Sequence, residues 1–410
     1  MTIINHRKRN LKTAILLSGG VDSLVAAHVL KQQGHDLVGI HFITGYEKPT
    51  PEMPLKTSSG SDRSGSTAAH CTAAALADQL DIPVEILDCR KAFQSQVVDY
   101  FIRTYVVGKT PNPCLMCNPA IKFGTALAFA RSLGAGKLAT GHYARVQADP
   151  QGFCRLLRGK DRVKDQSYFL ARLSREKLCR AIFPLGGMTK PETIELARQS
   201  DLEPTTPGES QDVCFIHDNR YSDFLMQQAE FRATPGPIKD TEGNIIGRHP
   251  GLHLFTIGQR RGINCPAREP YYVIHIDTRE NCLIVGFKQD TLATECLVED
   301  INWIHTKPEA SLDVETKIRY RHTAAPSRLV PIGKKEARVC FQFPQSAITP
   351  GQGAVFYKGE EVLGGGFIRR TDSQRPETRS QKPSEPQSPR ERRTEDRSQK
   401  PKTCRGRPPA

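Results

Sequence analysis

The short apolar run TAILL (Thr13 to Leu17) passes directly into SGGVDS (Ser18 to Ser23) and then into LVAAHVLKQQG, which Gly34 stops. A buried strand, a tight glycine turn and an apolar helix in that order make the first half of a β-α-β unit, which commits the chain to a parallel sheet. Two glycines let the backbone turn so that amides can face an anion at a helix N-terminus. Ser18 and Ser23 add hydroxyl donors, and Asp22 is placed to hold Mg2+ between phosphate oxygens. The stretch lacks both the lysine of a Walker loop and the spacing of a dinucleotide fingerprint. Its plain alternative is a glycine turn with no ligand.

The alternation continues. DLVGIHFI, IPVEIL and KLAT read as strands, with helices expected near Thr67 to Leu80, Arg90 to Val106 and Ile121 to Leu133. This pattern predicts an α/β fold with an N-terminal doubly wound parallel sheet, whose ligands bind beyond the carboxyl ends of the strands. SGGVDS and TGHYAR both lie at such ends. From about Tyr221 the chain becomes rich in Gly and Pro, and from Tyr271 short β-like runs dominate: YYVIHID, CLIVGF, ETKIRYRH, ARVCFQF and GAVFYKGEEVLGGGFI. These fit a small central domain and a C-terminal antiparallel β-barrel. The expected boundaries are 1–217, 218–292 and 293–370. Residues 371–410 have no aromatic side chain and read as a disordered basic tail, and residues 44–66, rich in Ser, Gly and Pro, as a long mobile loop beside the glycine turn.

Of the net charge of +14 over 410 residues, residues 371–410 contribute +5, with eleven Lys/Arg against six Asp/Glu. The body therefore carries +9, which suits a polyanionic partner or a solvated basic surface. No apolar run approaches the ~20 residues that span a bilayer, and MTIINHRKRNLK lacks the apolar stretch of a secretory signal. No membrane association is expected, and the cytoplasm is the expected location. Twelve cysteines without a small-domain pattern are then expected to stay reduced.

Two of them form TPNPCLMCN, with Cys114 and Cys117 three apart behind a proline-stiffened turn. Such a pair can be a redox couple, half of a metal site, a sulfur carrier, or two idle thiols. Cys214, in GESQDVCFIH, is the third thiol to weigh. Of the other nine, Cys71, Cys89, Cys154, Cys179, Cys265, Cys282, Cys296 and Cys340 read as buried small hydrophobes, and Cys404 falls in the expected tail.

SGGVDS resembles the PP-loop of the ATP pyrophosphatases. Together with GKTPNPCLMCNPAIKF, ATGHYAR, KDQSYFL, FPLGGMTK, SQDVCFI, GLHLFTIGQRRG and IRYRH, in that order over residues 12–370, it is similar to the bacterial tRNA-specific 2-thiouridylases. The resemblance implies ATP-dependent thiolation of the wobble uridine (position 34) of tRNA, with a persulfide-carrying protein or cysteine desulfurase as sulfur donor. It implies that Leu16, Leu17, Ser18, Gly19, Gly20, Val21, Asp22 and Ser23 cradle ATP, that Phe42 contacts adenine and that Gly141 closes the nucleotide site. Cys117 matches the nucleophile and Cys214 the persulfide carrier. Asn112, Pro113 and Cys114 match positions at the target base, and His142, Lys164, Asp165, Gln166, Arg319, Tyr320 and Gln352 match positions that touch tRNA. Arg319 and Tyr320 fall in an expected strand, where alternation would turn one of them inward.

Cys114 stands where much of that family has Asp. Cys114, Cys117 and Cys214 could thus ligate a [4Fe–4S] cluster with one iron open for sulfide, against a persulfide route through Cys117 and Cys214 alone. TTPGES before Cys214, and the loop after the second strand, also depart from the family. Two other classes compete. An amide-forming ligase on the same ATP fold would leave the cysteines idle, and a non-catalytic RNA-binding protein would leave the ATP loop idle.

Overall fold

The computed structural model describes residues 12–47, 64–205, 213–216, 220–228 and 231–369. The expected tail at 371–410 lies outside them, as do most of the 44–66 loop and most of TTPGES.

Strands β1 (Thr13–Leu16), β2 (Leu37–Ile43), β3 (Val84–Asp88) and β4 (Lys137–Ala139) run parallel, a hairpin of β5 (Ala144–Ala148) and β6 (Cys154–Arg158) leaves the sheet, and β7 (Ala181–Ile182) rejoins it. The order β3-β2-β1-β4-β7 is doubly wound about β1. All four residues of β1 are buried, as a strand covered on both faces requires. Helix α1 (Val21–Gln32) buries Leu24, Val25, Ala26, Ala27 and Leu30.

The central sheet consists of β8 (Gly236–Lys239), β9 (Ile245–His249), β10 (Tyr272–Asp277) and β11 (Cys282–Gly286), in the order β10-β11-β8-β9 around Ile238, Phe255, Val273 and Leu283. Strands β12 (Leu292–Trp303), β13 (Leu312–Lys317), β14 (Ala325–Pro331), β15 (Ala337–Ser346), β16 (Gly353–Lys358) and β17 (Glu361–Arg369) form an antiparallel sheet that the β12–β17 pairing closes into a six-stranded barrel.

Two features differ from the sequence expectation. The β5–β6 hairpin, from the N-terminal part of the chain, pairs with β17 through Glu361↔Leu157 and Val362↔Leu156. Leu156, Tyr357 and Val362 therefore share one core cluster with Ala14, Ile40 and Leu138. Arg319 and Tyr320 do not lie in a strand: β13 ends at Lys317 and both occupy the following turn, so strand alternation does not decide which points inward.

The barrel also grips TPNPC. Thr110 donates its N–H to the Pro350 carbonyl (2.9 Å), and Gln352 Nε2 donates to the carbonyls of Pro111 (2.9 Å) and Thr110 (3.3 Å). Gly351 between them has φ +89°, and a Cβ on it would fall 2.7 Å from Thr110 O. The cysteine loop is thus seated by a barrel loop more than 200 residues away in sequence.

Candidate active site

The glycine turn has the form its residues demand. Gly19 takes φ +81°, which a side chain resists, and Gly20 is the extended N-cap of α1. Ser23 Oγ donates to Gly20 O (2.8 Å) and accepts from Ser18 N (3.3 Å), so it ties the loop to itself. Leu16 and Leu17 are buried beneath, Ser18 is exposed, and Phe42 is partly buried at the end of β2. Gly141 packs against the loop, where a Cβ would sit 2.8 Å from the Asp22 carbonyl oxygen. Asp22 Oδ1 takes the Lys190 ammonium at 2.7 Å and the Tyr143 hydroxyl at 2.8 Å. Both contacts fall on Oδ1.

Helix Pro113–Cys117 begins with proline, whose fixed φ suits a first turn. Asn112 caps it by accepting from Leu115 N (3.4 Å) and also meets the Tyr168 hydroxyl (3.4 Å), which donates to Gly353 O (3.0 Å). Asn112 and Pro113 are both buried. After Cys117 the helix widens into a π-helical segment, Asn118–Ala126. Pro119 explains the widening, since it has no N–H to donate to Leu115 and so breaks the α-helical ladder. Such segments recur at functional sites because they re-aim side chains. Lys177 Nζ fastens the turn by donating to Pro119 O at 2.7 Å. Asn118 donates to Cys114 O and Phe169 O, and its own Oδ1 is buried with no hydrogen-bond partner among the described residues.

Cys214 lies close enough to Cys114 and Cys117 that each feels its charge. Burial is the main reason that Cys114 and Cys117 are both pushed up to about 12, with Cys214 adding to the rise and Lys122 opposing it. Cys214 is exposed by area, yet protein atoms crowd its sulfur, and desolvation raises its pKa as well. All three are resting thiols. Lys122 was not singled out by the sequence reading. Its Nζ lies 3.4 Å from His142 Nε2, and His142 Nδ1 lies 2.7 Å from Thr140 Oγ1. An ammonium only donates, so Nε2 accepts and the proton sits on Nδ1. Burial first, and Lys122 second, hold His142 neutral, well below the ordinary histidine range.

The residues matched to tRNA positions separate into two groups. Asp165 is buried and accepts from Gly159 N, Ser167 N and Ser167 Oγ, while Gln166 Oε1 holds Tyr143 N, so both brace the turn they belong to. His142 is buried edge-on against Phe183, and Gln352 braces the cysteine loop. Lys164, Arg319 and Tyr320 are partly exposed. Tyr320 lies on Phe169 with ring centroids 4.4 Å apart, and it is near enough to Cys114 to feel its charge.

Among the described residues no three His, Cys, Asp or Glu side chains converge as a metal site. Cys114, Cys117 and Cys214 are near enough to act on one another electrostatically. Two cysteines read as isolated hydrophobes are instead paired: Cys154 and Cys179 form a disulfide with Cα atoms 5.3 Å apart. Cys71 is exposed and Cys265 and Cys340 are partly so, whereas Cys89, Cys282 and Cys296 are buried as expected. Among the described residues no helix is long and apolar enough to cross a membrane.

Three sequence-family profiles match the chain in series. They are described as a tRNA methyl transferase HUP domain (residues 11–218), a tRNA methyl transferase PRC-barrel domain (222–287) and an aminomethyltransferase beta-barrel domain (293–368). The tRNA-specific 2-thiouridylase MnmA of Desulfosudis oleivorans is 52% identical over 87% of this chain and 94% of its own length. That of Geotalea uraniireducens is 41% identical over 89% and 96%, and that of Heliobacterium modesticaldum 41% over 90% and 95%. With identity of this order along nearly the whole of each relative, the chain belongs to the tRNA-specific 2-thiouridylase family.

Proposed function

We propose that this protein is an ATP-dependent tRNA-uridine 2-sulfurtransferase that thiolates C2 of the wobble uridine. One observation carries the proposal. Gly141 abuts Asp22 of the glycine turn, and the next residue, His142, contacts Lys122 beside the three thiols. The glycine turn and the neighbourhood of the three thiols thus meet across one peptide bond, an arrangement that neither an amide ligase nor a passive RNA binder requires.

Oxygen at C2 leaves poorly, because direct displacement would expel an oxide. Attack of O2 on the α-phosphorus of ATP releases pyrophosphate and turns that oxygen into part of an AMP leaving group. Residues 16–23 would hold the phosphates, Gly141 would bring the two loops together, and Phe42 would flank adenine. The carboxylate of Asp22 would hold Mg2+, which supplies charge neutralisation on the phosphates when bound.

Cys214 would carry the sulfur as a persulfide received from a persulfide-donor protein or cysteine desulfurase. Its terminal sulfur attacks C2, a C–S bond forms, and AMP leaves. The Cys117 thiolate then attacks the Cys214 sulfur. The S–S bond to the base breaks, its electron pair stays on the 2-thiouridine, and a Cys117–Cys214 disulfide remains. A dithiol reductant returns both to thiols. Tyr320 on Phe169 would form a stacking wall for the extruded base, and Lys164 and Arg319 would meet the tRNA backbone.

The experiment is incubation of iron-free, persulfide-loaded protein with ATP and unmodified tRNA, followed by nucleoside mass spectrometry. The reading predicts 2-thiouridine together with AMP and pyrophosphate. Pyrophosphate release with no sulfur in the tRNA would point instead to the amide-ligase class.

A further inference from the structure

A persulfide is a stronger acid than a thiol, so its terminal sulfur is an anion at neutral pH. An anion inside a site that desolvates its thiols needs a cation in reach. Lys122 meets that need. It follows Cys117 by five residues, and a π-helical turn hydrogen-bonds residue i to i+5, so the two positions stack on one face of the segment. Lys122 also acts electrostatically on Cys114, Cys117 and Cys214 alike. Its position is fixed from behind by the Thr140–His142 relay, in which a neutral imidazole accepts from the ammonium and cannot repel it. Among the described residues, Glu47 beyond β2, Cys89 beyond β3 and Tyr320 of the barrel also bear on the thiols. None of these is a cation.

We propose that Lys122, held by His142, binds the anionic terminal sulfur as it passes from Cys214 to the tRNA base, and is a further catalytic residue of the sulfur-transfer half-reaction. The proposal rests on the function proposed above. It gives the buried His142 a role as a positioning residue for Lys122. It also gives the widening that Pro119 causes a consequence for the site, because an α-helical register would rotate Lys122 away from that cysteine.

The test separates the two half-reactions in single turnovers of full-length protein loaded with cysteine persulfide. Lys122→Met should still release pyrophosphate with tRNA and ATP, while 2-thiouridine formation falls about 100-fold, the usual scale for loss of one charge-stabilising group. Unreacted persulfide should remain on Cys214 by intact-protein mass spectrometry. Lys122→Arg, which keeps the charge, should recover most of the rate, and His142→Asn should fall between them. Lys122→Met that thiolates within about threefold of wild type overturns the inference. So does a parallel loss of both half-reactions with a lowered thermal midpoint, which would mark Lys122 as structural. Wild-type protein that releases pyrophosphate yet makes no 2-thiouridine overturns the proposed function, and this inference with it.

Discussion

The side-chain amide of Gln352 donates to the carbonyl of Pro111 at 2.9 Å, which joins the C-terminal barrel to the loop that carries Cys114 and Cys117. A residue matched to a tRNA contact therefore has a second task in the free protein. Gly351 beside it cannot take a side chain without strain, since φ is +89° and Thr110 O stands 2.7 Å from where a Cβ would go. Gly351→Ala should cost about 1–3 kcal/mol in stability and lower thiolation by at least tenfold. Gly359→Ala has a positive φ of 59° but open space around it, and should leave thiolation near wild type. Urea midpoints and initial rates of both variants check this pair. Equal effects would show that the seam does not hold the cysteine loop.

The ATP half of the reaction should depend on Asp22 and Gly141. Asp22→Ala removes the carboxylate that takes Lys190 and Tyr143 and leaves the Lys190 ammonium without that partner. Gly141→Ala forces a Cβ against the Asp22 backbone. Both should reduce tRNA-dependent pyrophosphate release by at least 100-fold while tRNA affinity, measured by filter binding, changes by less than about threefold. Undiminished pyrophosphate release in Asp22→Ala would remove Asp22 from the nucleotide site.

Much of this site could be read in the chain, and the exceptions have physical causes. SGGVDS fell where a strand-turn-helix pattern said it must, because local alternation and glycine placement decide that geometry. Lys122 escaped notice since a lone lysine in NPAIKF looks like a solvated helix charge. Its signal was Pro119, which breaks the α-ladder and turns position 122 toward Cys117. Lys190 and Tyr143 were missed as partners of Asp22 because those contacts join residues 168 and 121 positions apart. The β5–β6 hairpin was invisible as part of the barrel sheet for the same reason, since strand pairing at long range leaves no local trace. Whether Cys114, Cys117 and Cys214 act as cluster ligands or as a sulfur relay was not legible either, since spacing in sequence does not determine which chemistry three neighbouring thiols perform.

Burial raises Cys117 to about 12, and the sign of the resulting pH dependence follows. In the proposed release step the nucleophile would be the Cys117 thiolate, whose fraction grows tenfold per pH unit below the folded pKa. The release rate should climb through pH 7–9 with no plateau, whereas an ordinary thiol with a pKa of about 8.5 would level off near pH 9. The same shift makes stability fall above the unfolded thiol pKa, where the unfolded chain loses protons that the folded one keeps. Stopped single turnovers across that range, with Cys117→Ser as baseline, measure the profile. A plateau below pH 8.5 would contradict the desolvated site.

The Cys154–Cys179 bridge spans 25 residues and ties strand β6 to the helix Arg175–Cys179. A loop of that length should contribute about 3 kcal/mol by restricting the unfolded chain. Reduction should lower the urea midpoint of the wild type, and Cys154→Ser should start from that lower value and not respond to reductant. A wild-type midpoint indifferent to reductant would mean that the pair is not bridged in solution.

The central claim is that sulfur travels through Cys214 and Cys117. Its most direct measurement is one turnover of anaerobically prepared protein, stripped of iron, loaded with a single persulfide on Cys214, and mixed with ATP and unmodified tRNA. The account predicts one 2-thiouridine, one AMP and one pyrophosphate per persulfide, with a Cys117–Cys214 disulfide left in the peptide map. Thiolation that appears only when iron and acid-labile sulfide are restored, and that fails in Cys114→Ser, would contradict it.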